Sequence, residues 1–78
     1  MRQKEMRLVI TFHTTAEAIA MEKACKDGQI PGRLIPVPRQ ISSGCGLSWS
    51  MPVEWKPEIE QFMNSHGLGC EGIGEYFI

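Results

Sequence analysis

The chain has 78 residues, 42% of them hydrophobic and 22% charged, with a formal net charge of −1. That length suits one small domain, which buries only roughly 60% of its unfolded surface, and the composition is that of a globular rather than a disordered chain. The apolar stretches fall far short of the ~20 residues of a membrane span, the charged start (residues 1–7) has no apolar core of a secretory signal, and near-neutral charge argues against a general nucleic-acid binder.

Arg7-Leu8-Val9-Ile10-Thr11-Phe12 is rich in β-formers and reads as a buried first strand. Thr14-Thr15-Ala16-Glu17 matches a capping box, in which a Thr hydroxyl and a Glu three residues later satisfy free backbone donors. It predicts a helix that runs to Lys26-Asp27 and stops at Gly28. Ala18, Met21, Glu22 and Cys25 share one face, so Cys25 reads as a buried apolar residue. After the turn Ile30-Pro31-Gly32, Arg33-Leu34-Ile35-Pro36-Val37 forms a short strand. Pro36 cannot donate to a ladder, which assigns that strand to a sheet edge.

Residues 38–46 form a polar loop dense in Gly and Ser. Leu47-Ser48-Trp49-Ser50-Met51 alternates as a half-buried strand does, and Pro52 ends it. Pro57 fits the first turn of a second helix, with Ile59, Phe62 and Met63 facing inward. His66-Gly67 closes that helix, and Ile73, Tyr76, Phe77 and Ile78 supply a last strand. The order βαββαβ predicts an α+β ferredoxin-like sandwich, with two helices on one face of a four-stranded antiparallel sheet. The other face is left open. Trp49 and several methionines are expected to make it sticky, which suits a homodimer.

Charge is unevenly spread. Residues 1–39 hold seven Lys/Arg against four Asp/Glu, and residues 40–78 hold one against five. Such a division suits docking to a charged protein, although ordinary solvated faces are the simpler explanation. Three cysteines without a CxxC pair or a signal point to free thiols in a reducing cytoplasm.

The predicted topology brings three connections to one end of the domain: residues 13–15, 38–46 and 66–70. Cys45, Cys70, His13 and His66 gather there. Cys45 is the strongest candidate nucleophile, because Gly44 and Gly46 leave the backbone around its sulfur uncovered. A sulfur nucleophile must be a thiolate, which Arg39, the loop amides and the helix N-terminus at Thr14 would favour. Ser42 and Ser43 offer further donors. A tight turn of small residues with an incidental Cys is the competing explanation. Cys70 has the Glu71 carboxylate beside it, which opposes thiolate formation; it is a possible second thiol or simply a small strand-entry residue. The two His and two Cys lack any recognised zinc spacing, so no metal is expected. No phosphate loop, catalytic triad or paired carboxylates are present, and a self-contained enzyme is not expected.

The run Gly32-Arg33-Leu34-Ile35-Pro36-Val37-Pro38-Arg39-Gln40-Ile41-Ser42-Ser43-Gly44-Cys45-Gly46-Leu47 closely resembles the central motif of a family of small bacterial proteins described as selenium/sulfur carrier-like. The Thr-Phe strand end, the Thr-Thr-x-Glu-Ala segment and Met21-Glu22-Lys23 resemble it too. Together they cover residues 7–50. The resemblance implies that Cys45 carries sulfur or selenium as a persulfide or selenosulfide between donor and acceptor proteins, with Arg39 and the loop amides holding the anionic terminal atom. No other cofactor is implied. Two alternatives stay open: a binding or regulatory module, monomeric or dimeric, and a metal or redox sensor pairing Cys45 with Cys70.

Overall fold

The structure is a computed structural model that describes residues 5–39, 41 and 46–78. Its elements are β1 (Met6–Thr11), α1 (Thr15–Asp27), β2 (Arg33–Pro36), β3 (Leu47–Pro52), a 3-10 turn (Val53–Trp55), α2 (Lys56–His66) and β4 (Gly72–Phe77). All pairings are antiparallel, in the order β2-β3-β1-β4. This is the ferredoxin-like arrangement. Pro36 lies in an edge strand, where its missing donor leaves no ladder bond unmade.

Strand alternation decides which side chains meet the helices. Leu8 and Ile10 of β1 stand opposite Met51 and Trp49 of β3, and these four join Phe12, Ala18, Met21, Cys25, Ile59 and Met63 in one buried cluster. Each fully buried aliphatic side chain of this kind contributes ~1.5–3 kcal/mol. The expectation that Trp49 and several methionines make the second sheet face sticky is overturned for Trp49, Met21, Met51 and Met63. Trp49 and Met51 are buried on the helix side, where the apolar stripes of α1 and α2 require apolar partners.

The second face instead mixes small and polar residues with a few larger side chains. Register places Arg7, Val9 and Thr11 beside Ser50 and Ser48 on one side and Tyr76, Gly74 and Gly72 on the other. Arg7 donates from Nε to Ser50 Oγ at 3.0 Å, and the Ser48 hydroxyl donates to the Ile35 carbonyl at 3.5 Å. The Tyr76 ring lies across Gly74, so close that a Cβ on that glycine would sit 2.7 Å from it.

Local chemistry sets the helix ends. Thr14 is the N-cap of α1 and its hydroxyl accepts from the Glu17 N–H at 3.2 Å. Thr14→Ala is expected to cost ~1 kcal/mol, read as a lower urea midpoint with an unchanged slope. The chain leaves α1 with Gln29, not Gly28, in the left-handed region (φ 58°). α2 ends at Gly67 with φ 64°, and the Leu68 N–H closes on the Met63 carbonyl at 2.9 Å.

Burial pushes the Cys25 thiol from 9.0 up to about 11. The unfolded chain loses this proton at lower pH than the folded one, so stability falls as pH rises between those values. Urea midpoints measured across that window should decline, and Cys25→Ala should flatten the decline.

Candidate functional site

Four strand ends meet at one end of the sheet. Thr11 closes β1 opposite Ser48 and Gly72, and Pro36 closes β2 opposite Leu47. The connections 12–14, 37–46 and 67–71 leave from this end. Backbone bonds tie their bases together: Val37 N–H donates to Gly46 O at 3.1 Å, and Glu71 N–H donates to Thr11 O at 2.7 Å. Gly46 holds φ 77°, a conformation that disfavours any side chain.

Of the residues singled out in the sequence, Cys45, Ser42, Ser43 and Gly44 lie outside the described residues. Arg39 is exposed in the β2–β3 connection, Gly46 stands at the entrance to β3, and Thr14 caps α1. Cys70 is half-buried. Burial raises its pKa, and the nearby Glu17 carboxylate raises it further.

Glu17 is the residue whose role goes beyond the capping box. Its Oε1 accepts from the His13 backbone N–H at 2.7 Å and pairs with His13 Nδ1 at 3.3 Å. The backbone bond from His13 is the largest of the causes that lower its pKa. A Cβ on Gly69 would sit 2.9 Å from Glu17 Oε2, so one carboxylate links the β1–α1 turn to the α2–β4 turn. The capping pattern pointed to Glu17, but its contact with Gly69 depends on tertiary packing.

His66 does not join this group. It lines a groove with Ala20, Lys23, Ala24, Asp27 and Gly28 along α1, and its Nδ1 lies 3.0 Å from the Phe62 carbonyl. Among the described residues, no three His, Cys, Asp or Glu side chains are grouped so as to hold a metal ion. On the second sheet face, beside the β2–β3 connection, a cleft of about 310 Å³ opens between Ile41 and the strip Gly72, Gly74 and Tyr76. Glycines make its floor bare backbone. Among the described residues, no helix is long and apolar enough to cross a membrane.

A family model described as "Putative Se/S carrier protein-like" matches residues 7–75. No curated protein and no solved structure matches the chain.

Proposed function

The chain belongs to this Se/S carrier-like family, and from that premise we propose that it accepts a sulfur or selenium atom on Cys45 and passes it between partner proteins. Family membership over most of the chain is the observation that carries this reading. The chain's own chemistry supports it. Cys25 is sealed in the core, and burial, together with Glu17, raises the pKa of Cys70, which disfavours both as thiolates. Cys45 lies next to Gly46, whose exposed, side-chain-free backbone stands at the end of the sheet where three connections meet.

In the proposed loading step the Cys45 thiolate attacks the terminal sulfur of a donor persulfide and the donor leaves as a thiol. An acceptor thiol or enzyme later removes the terminal atom. Arg39 and the loop amides would hold the anionic terminal sulfur, with Ser42 and Ser43 as added donors. The partners are thus a persulfide- or selenosulfide-bearing donor and an acceptor of the same atom.

Intact mass after incubation with a cysteine desulfurase and cysteine, without reductant, tests this. A gain of one sulfur atom, reversed by dithiothreitol, is expected. No adduct on a protein whose Cys45 is readily alkylated would overturn it and favour a binding module.

A further inference from the structure

The two edges of the sheet are built differently. β2 is four residues long and ends on Pro36, and a short strand with a proline makes a poor template for pairing. β4 runs over six residues without Pro or Lys. Beyond its end, Glu5 and Ile78 exchange both backbone bonds at 3.1 Å. Bonded and non-bonded pairs alternate along an antiparallel ladder. With the β1–β4 register, the N–H and C=O groups of Ile73, Glu75 and Phe77 therefore point away from β1. Among the described residues they have no partner.

The side chains along this edge form a pattern. Ile73, Glu75 and Phe77 stand on the helix side, paired with Ile10, Leu8 and Met6. Ile73 packs against the core, while Phe77 and Met6 are exposed apolar side chains. Glu75 between them is exposed, and among the described residues it has no ion pair. On the opposite side Gly72 and Gly74 offer bare backbone beside the cleft of about 310 Å³, which leaves room for the alternate side chains of an added strand. A second copy of the chain fits this edge poorly. The register that sets Ile73 against Phe77 of a second copy also sets Glu75 against Glu75, and like charges directly opposite are destabilising. Other registers set Glu75 against Ile73, Phe77 or Glu71. Glu75 thus guards the edge against self-pairing and leaves it complementary to a cation.

We propose that the β4 edge binds an extended segment of a partner protein by strand addition, and that this segment sets a Lys or Arg against Glu75 with apolar residues two positions to either side, against Ile73 and Phe77. The outward backbone groups of β4 supply the ladder bonds, and the apolar–basic–apolar spacing supplies the selectivity. This docking does not depend on the sulfur chemistry of Cys45.

The E75K chain is itself the probe, because its β4 offers a lysine flanked by Ile73 and Phe77. Glu75 is exposed, so the substitution leaves the core untouched, and E75R serves as a repeat. Light scattering after size exclusion should show monomers for wild type and for E75K alone, and a doubled mass for their equimolar mixture. Raising salt to about 1 M should weaken that complex. On mixing, amide exchange in the wild-type chain should slow at Ile73, Glu75 and Phe77 by about tenfold or more. A mixture that stays monomeric, or slowed exchange confined to other residues, would overturn the proposal. So would a wild-type chain that is dimeric on its own with these three amides protected, because the edge would then belong to a second copy.

Discussion

Cys45→Ser is expected to abolish sulfur loading completely, while Cys70→Ser and Cys25→Ala still load. A serine hydroxyl does not ionise near neutral pH and forms no persulfide, so the effect is all or none rather than a graded loss. The contrast with Cys70 follows from electrostatics. Burial and then Glu17 raise that thiol's pKa, which lowers its share of the nucleophilic thiolate. Intact mass spectrometry of the three variants under one loading protocol reads the outcome directly. Loading that persists in Cys45→Ser and disappears in Cys70→Ser would reassign the acceptor atom.

Phe12→Ala should have the largest effect on stability. Phe12 is fully buried at the end of β1, where it joins the core cluster just before the His13–Glu17 turn. Removing a buried Phe costs ~3–5 kcal/mol. A domain of this length holds only about 5–10 kcal/mol in total, so the melting temperature should drop by more than about 10 °C. Phe77→Ala, at a position 57% exposed, should shift it far less. Thermal melts of the two variants compare them. Similar losses would mean that Phe12 is not anchored in the core.

Most of the architecture was legible because local signals agreed with each other. The Thr14–Glu17 pattern started α1 where the structure starts it, Pro57 fell in the first turn of α2, and Pro36 marked an edge strand. The second sheet face was misjudged for a specific reason. In Leu47-Ser48-Trp49-Ser50-Met51 alternation shows that the apolar residues share a face, but not which one. The pairings Leu8↔Met51 and Ile10↔Trp49 decide that. The short 3-10 turn over Val53–Trp55 has no periodic signal, so the sequence pattern passes directly from Pro52 to α2.

The site was legible in a different way. A convergence of three connections follows from topology alone, which is why His13, Gly46 and Cys70 could be placed at one end. His66 was misplaced because its position depends on how α2 lies against α1, and residue spacing carries no such information. The link from Glu17 to Gly69 was hidden for the same reason. Cys45 was singled out by its Gly-Cys-Gly setting and by the motif around it, and its role rests on that motif and on the family.

A pulse–chase with labelled sulfur tests the carrier claim most directly. The protein would be loaded with labelled persulfide sulfur, purified from the donor and mixed with an acceptor thiol, with Cys45 alkylation followed in parallel. The account predicts that the label leaves for the acceptor in step with the return of a free Cys45 thiol. Label that stays on the protein, or leaves without Cys45 becoming alkylatable, would contradict it.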